Sequence, residues 1–257
     1  MKKLIFIKFG GSLITDKAKI NKARFDVIDG LAAQIKEVRS IDEDTSFIIA
    51  TGAGGFGHPV AKKYENNLSE GLSFIKEAVK KINKIVVSSL IKSGLKAASV
   101  EPSNISEYKD GKMVSMFYSS IVSLLEKNII PIFHADLVED LKLGTSILSM
   151  DKFLVDMAIS FKNIGYDIKK VIFCGTTDGV IDANGKTINK INNENIKGFS
   201  NLFYDNKIID TSGGMKGKVL ECLRLVDKQI PCILINGQKE NNLFEAILGK
   251  EVLGTKF

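Results

Sequence analysis

Short apolar runs alternate with longer stretches of helical spacing along almost the whole chain, and this alternation limits the fold more than any other feature. Residues 4–9, 46–50, 129–133, 171–175 and 232–235 read as buried strands, with 97–100 a brief further one. Between them, 25–38 repeats apolar residues at Phe25, Ile28, Leu31, Ile35 and Val38. Residues 71–95 carry Ile75, Val79, Ile82, Val86 and Leu90 on one stripe, and 117–126, 152–162 and 216–227 are also predicted helical. Lys109-Asp110-Gly111-Lys112 is a hairpin turn signal. Continuous apolar strands separated by helices imply a mostly parallel sheet covered on both faces. The stretch 182–195, rich in Asn and Lys, is either a linker between lobes or a surface excursion beside a site.

Composition removes several classes. With 44% hydrophobic and 26% charged residues, the chain is no disordered tail, collagen-like repeat or disulfide scaffold. Its 257 residues allow one large α/β domain or two small ones. Cys174, Cys222 and Cys232 are odd in number and lack CxxC spacing, which argues against a disulfide framework or a zinc site and fits a reducing cytoplasm. At the start, Lys8 and the Gly-Gly pair interrupt the apolar stretch before it could serve as a signal peptide. No run approaches the roughly 18 apolar residues of a membrane span. A soluble, cytoplasmic protein is expected. The net charge of +6 is scattered, with no Arg cluster and no basic stripe interleaved with aromatics, so a nucleic-acid partner is not expected.

Three glycine-rich loops carry the chemistry. The first is Lys8-Phe9-Gly10-Gly11-Ser12, directly after a strand. Paired glycines there let the backbone approach a ligand and turn N–H groups toward an anion. A plain tight turn would also explain them, but a lysine inside an apolar strand is costly unless it reaches a site or partner. Lys17 adds a second positive charge nearby. The second loop is Gly52-Ala53-Gly54-Gly55-Phe56-Gly57-His58. It matches GxGxxG, yet it follows the second strand, and a Lys-rich helix stands where a dinucleotide fold needs an acid. It reads instead as an oxyanion cradle of Gly54, Gly55 and Gly57, with His58 as a phosphate ligand. The third is Asp210-Thr211-Ser212-Gly213-Gly214-Met215-Lys216-Gly217-Lys218, opening a helix whose free N–H groups and dipole favour phosphate. GxxxxGK[ST] is absent, which excludes a P-loop NTPase. Two anionic ligands would account for three such loops, and phosphoryl transfer needs lysines and N–H groups more than a nucleophile of its own.

With these loops in order, the chain resembles the amino acid kinase superfamily, and within it the isopentenyl phosphate kinases. Ile7–Lys17 resembles that family's opening IK-GGS-ITDK, Gly52–His58 its GGGSFGH loop and Asp210–Lys218 its DVTGGM-x-x-K loop. The ending Ile233–Gln238 followed by Gly254-Thr255 also fits. The resemblance implies a three-layer αβα sandwich with an open, mainly parallel central sheet, as a single domain over 1–257. Its N-terminal lobe, about 1–168, would bind the acceptor and its C-terminal lobe, about 169–257, ATP. It implies Mg2+ with the ATP, a small phosphate-bearing acceptor, no membrane partner and a homodimer, with no metal held by protein residues.

Residue by residue, the resemblance would have Lys8 bridge the transferring phosphoryl group and Gly10 and Gly11 contact ATP phosphates. Lys17 would assist beside that loop, and Lys218 would neutralise the β- and γ-phosphates. Asp151 would orient the lysines. Thr176, Asp178, Gly179, Gly213 and Gly214 would belong to the ATP site, and Gly54, Gly55, Gly57 and His58 to the acceptor's phosphate. The stripe on 71–95 would be core for most of its length and could wall an isoprenoid pocket. The chain departs from the family at several places: Thr51 opens the second glycine loop, His134-Ala135-Asp136-Leu137 replaces Tyr-Gly-Asp-Val, Thr176 replaces an acid and Lys152 replaces the second acid of SGDD. A fosfomycin-type kinase and a nucleotide sensor without turnover are the alternative readings.

Overall fold

The computed structural model describes residues 3–16, 19–198 and 214–257. In chain order, β1 (Lys3–Phe9) leads through the single turn α1 (Gly11–Ile14) to α2 (Phe25–Ile41), and β2 (Thr45–Thr51) leads into α3 (Gly54–Lys63) and α4 (Leu68–Lys92). Next come β3 (Ala97–Val100), the hairpin β4 (Ser106–Lys109) and β5 (Lys112–Met116), and α5 (Ser119–Glu126). Then follow β6 (Ile130–His134), the hairpin β7 (Asp136–Asp140) and β8 (Gly144–Leu148), α6 (Met150–Asn163) and β9 (Asp167–Gly175). The last described segment holds α7 (Gly214–Asp227), β10 (Cys232–Asn236), α8 (Asn242–Leu248) and β11 (Gly254–Lys256).

A seven-stranded sheet in the order β11-β10-β9-β1-β2-β6-β3 forms the middle layer. Every neighbouring pair in it is parallel except β10 with β11. Alternation along each strand splits the core in two. Phe6, Phe133 and Phe173 pack with Phe153 and Phe161 of α6 on one face. Ile7, Ile49 and Ile172 pack against α2, α4 and α8 on the other. The predicted three-layer αβα sandwich with a mainly parallel sheet is therefore what the chain forms. Lys8 shares the face of Leu4 and Phe6, so the pleat aims it toward α6 and α7.

The sequence pattern did not foretell a second, four-stranded sheet, ordered β5-β4-β7-β8. Its strand β7 begins and ends on acids, a residue type depleted in strands, which hides it from a search for apolar runs. Both acids are buried because the backbone satisfies them. Asp140 accepts hydrogen bonds from the N–H groups of Asp110, Gly111, Lys142 and Leu143, which ties the two hairpin tips together. The 182–195 stretch is the surface excursion: it turns at Asp182, buries Ile191 and bridges through Lys190 to Lys256 at the sheet edge. No helix among the described residues is long and apolar enough to cross a membrane.

Candidate active site

Three elements converge on one carboxylate. Lys8 comes from the penultimate position of β1, Asp151 from the first turn of α6 and Lys218 from the second turn of α7. Lys8 Nζ is ion-paired with Asp151 Oδ1, and Lys218 Nζ lies 2.6 Å from Asp151 Oδ2. Lys218 Nζ also lies 5.2 Å from the Phe173 ring centroid. Two cations on one anion leave a positive excess in a nearly dry place. Burial, helped by the charge of Lys218, pushes the Lys8 ammonium down to about 8, although Asp151 resists. Burial alone would raise the Asp151 carboxyl, but Lys218 and Lys8 outweigh it and hold it near 2. Lys218 is also desolvated, yet Asp151 keeps its pKa above the ordinary lysine value.

Above this trio the first two glycine loops interlock. A Cβ on Gly11 would sit 2.7 Å from Gly54 Cα, so no side chain fits between them. Gly54 has φ +49°, a further reason for glycine there. One side chain joins the loops: the buried Thr15 hydroxyl donates to Gly11 O at 2.7 Å and accepts from Gly55 N at 2.9 Å. Asn21 N donates to Gly55 O at 3.1 Å, so Gly55 is held on both sides by the chain leaving α1. The segment read as a loop is thus largely the first turns of α3. The Gly55 N–H is committed to Thr15 and the Gly57 N–H to Ala53 O. Gly57 is small because a Cβ would strike Ala53 and Val79. The N–H groups of Ala53 and Gly54, like those of Gly11 and Ser12, have no partner within the described chain.

These groups line a single cleft of about 590 Å3. Lys8, Asp151 and Lys218 sit along it with Gly10, Gly11, Gly54, Gly55, Gly57, His58, Thr176, Gly179 and Gly214. His58 stands exposed at its rim, on α3. Asp178 is instead turned to Lys239, 2.9 Å away. Lys17 and Gly213 lie outside the described residues. At one end the cleft becomes apolar, walled by Ile75, Val79, Leu137, Ile147 and Leu148. The stripe on α4 therefore divides: Ile75 and Val79 reach the cleft, while Ile82, Val86 and Leu90 are core.

The family model for the amino acid kinase family matches residues 3–236. The chain belongs to that family. Isopentenyl phosphate kinase of Methanocaldococcus jannaschii is 30% identical, over 98% of this chain and 98% of its own. Isopentenyl phosphate kinase of Methanothermobacter thermautotrophicus is also 30% identical, with 98% of each chain covered. A crystal structure of isopentenyl phosphate kinase superposes with a TM-score of 0.81 at 27% identity, covering 99% of this chain and 100% of that one.

Placed in this amino acid kinase, the sequence departures acquire structural uses. Lys152 Nζ donates to Gly111 O, fastening the β4–β5 tip to α6 beside Asp151. Asp136, fully buried, pairs with Lys76 Nζ at 3.0 Å and accepts from Ser103 N at 3.0 Å, so it braces β7 against α4. Thr176 lies on the cleft wall. Thr15 and the apolar residues Leu137, Ile147 and Leu148 were not singled out from the sequence. Thr15 sits inside the quoted opening motif and could have been suspected, whereas the apolar residues belong to the hidden second sheet.

Proposed function

We propose that this amino acid kinase transfers the γ-phosphoryl group of ATP to isopentenyl phosphate, giving isopentenyl diphosphate and ADP. A phosphate oxygen of the acceptor bonds to the γ-phosphorus as the bond from that phosphorus to the β,γ-bridging oxygen breaks, and ADP keeps that oxygen with its electron pair. The carrying observation is the composition of the cleft: it holds a cationic centre at Lys8 and Lys218 together with an apolar wall of Ile75, Val79, Leu137, Ile147 and Leu148, suited to a hydrocarbon tail. An acceptor with a carboxylate or carbamate and no tail would leave that wall uncovered.

In this reading Lys8 balances charge on the transferring phosphoryl group and Lys218 on the β- and γ-phosphates of ATP, and such charge balance is most of what the reaction requires. Asp151 does not touch phosphate. It holds both ammonium groups in place and keeps two buried cations compatible. The unpartnered N–H groups of Gly11 and Ser12 would serve the ATP phosphates, and those of Ala53 and Gly54 the acceptor's phosphate, with His58 donating from the rim. Functionally, residues about 1–168 form the acceptor lobe and about 169–257 the ATP lobe, and Thr176, Gly179 and Gly214 belong to the nucleotide. Both oxygens of Asp151 are taken by lysines, and no group of three His, Cys, Asp or Glu side chains among the described residues could hold a metal. Among the described residues nothing gathers the oxygen ligands of a protein-held Mg2+, and in this reading the ion travels with the ATP phosphates. A cytoplasmic homodimer completes the proposal.

The test is an ATP-consumption assay over isopentenyl phosphate, dimethylallyl phosphate, fosfomycin, UMP, carbamate and glutamate. Isopentenyl phosphate should give the highest kcat/KM. Preference for an acceptor without a hydrocarbon tail would overturn the reading.

A further inference from the structure

We propose that Thr15 is a positioning residue that sets the separation of the two phosphate cradles, and with it the distance over which the phosphoryl group travels. The inference rests on the function proposed above. It stands on geometry behind the two glycine loops that line the cleft. The Thr15 hydroxyl uses its proton on Gly11 O, 2.7 Å away in the first glycine loop, and a lone pair on Gly55 N, 2.9 Å away in the second. The side chain is 1% exposed, so neither bond exchanges readily with water. Thr15 ends α1, and its own N–H also donates to Gly11 O at 3.0 Å. Gly11 O therefore receives both the main chain and the side chain of one residue, which fixes the hydroxyl's direction. An antiparallel bridge to Ala23 holds Thr15 itself, made by two backbone bonds: Arg24 N donates to Ile14 O and Asp16 N to Lys22 O, each at 2.9 Å.

The loops that Thr15 joins are those that carry unpartnered N–H groups on residues lining the cleft, Gly11 and Ser12 in one and Ala53 and Gly54 in the other. Their backbones already touch, so packing limits how near they come. Packing does not limit how far apart they drift. At their roots one backbone bond, from Gly52 N to Phe9 O at 2.9 Å, holds them, and further along, at the glycine tips, the hydroxyl bridge supplies that second limit. Among the described side chains Thr15 is the one hydrogen-bonded to both loops. Transfer between two bound phosphates depends steeply on their spacing, and a misplacement of about 1 Å can cost on the order of 100-fold in rate. A looser pair of cradles also admits water as a competing acceptor.

The experiment compares Thr15→Val, which keeps the shape and removes the hydroxyl, with Thr15→Ser, which restores the hydroxyl. Thr15→Val should lower kcat about 10- to 100-fold, while KM for ATP and for isopentenyl phosphate each stay within about threefold. The share of ATP hydrolysed without transfer should rise. Thr15→Ser should return most of the rate and the coupling. Unchanged kcat in Thr15→Val, a change in KM alone, or a Thr15→Ser enzyme as slow as Thr15→Val overturns the proposal. If Thr15→Val does not fold, Thr15→Ala takes its place. Failure of both to fold, with Thr15→Ser folded, assigns Thr15 to stability and also overturns it. If wild type transfers nothing to isopentenyl phosphate, the acceptor assignment fails by itself. The bridge is then read from amide exchange at Gly55: protection lost in Thr15→Val and kept in Thr15→Ser supports it, and equal exchange in all three overturns it.

Discussion

Asp151 holds Lys8 on one carboxylate oxygen and Lys218 on the other, with Lys218 at 2.6 Å. The two lysines come from strand and helix positions 210 residues apart in sequence, and neither could be buried beside the other without that carboxylate. The arrangement presets where positive charge meets the reacting phosphates. It also means that the two cations and the anion respond as a unit to mutation and pH.

Replacing Asp151 by Asn should therefore harm both fold and rate. The substitution leaves two cations facing a neutral amide at a buried place, and removing one partner of a buried ion pair typically costs about 3–5 kcal/mol. Thermal unfolding should show a marked fall in Tm, and kcat in the remaining folded protein should drop more than either KM rises. A variant with wild-type Tm and kcat would remove Asp151 from this role.

Lys218→Ala should weaken the use of ATP more than that of the acceptor. Lys218 lies in the second turn of α7, one turn after Gly214, on the side assigned to the nucleotide. Loss of a charge-assisted contact is worth roughly 1.5–3 kcal/mol, so kcat/KM for ATP should fall about 10- to 150-fold. Steady-state kinetics with each substrate varied in turn checks the asymmetry; an equal effect on both substrates would place Lys218 at the transferring group instead.

How much of this was legible beforehand follows from where the signals lie. Lys8 betrayed itself because a charge in an apolar strand needs a partner, and the glycine loops because they follow strands. The partner was suggested by the family resemblance alone, since Asp151 lies in a helix like any other acidic N-terminal residue. The apolar end of the cleft was half legible: Ile75 and Val79 stand on a periodic helix, but Leu137 comes from β7, whose buried terminal acids break the apolar pattern, and Ile147 and Leu148 close β8, a short strand that opens on Gly, Thr and Ser. The loss of the Gly55 N–H to Thr15 could not be read at all, because nothing in the sequence says which donors a hydroxyl will occupy.

His58→Ala and His58→Gln should raise KM for the monophosphate acceptor and leave KM for ATP nearly unchanged. His58 stands at the rim of the cleft, on the helix where the N–H groups of the capping Ala53 and of Gly54 have no partner within the described chain. Loss of one hydrogen bond to a charged phosphate predicts a fall of about 10- to 150-fold in kcat/KM. Wild-type kinetics in both variants would show that His58 only packs beside Pro59.

The pH dependence should carry the signature of Lys8. Its ammonium is the active form, and burial lowers its pKa to about 8, so kcat/KM should decline as pH rises past that value. Bound phosphates favour the charged form, so the alkaline limb of kcat should lie at higher pH than that of kcat/KM. Unfolding would not explain the decline. An unfolded chain keeps its Lys8 proton to the ordinary lysine range, so between about pH 8 and that range this group shifts the balance toward the folded state as pH rises. Circular dichroism across the same range should show an intact fold while activity falls; coincident loss of both would refute the assignment.

The most direct test of the central claim, that one cleft joins ATP's γ-phosphate to the phosphate of an isoprenoid, is 31P NMR of the complete reaction. With ATP, Mg2+ and isopentenyl phosphate present, the monophosphate resonance should vanish as a pair of diphosphate resonances grows, in one-to-one proportion with ADP. ATP turnover that leaves the isopentenyl phosphate resonance untouched, or no turnover at all, would contradict the account.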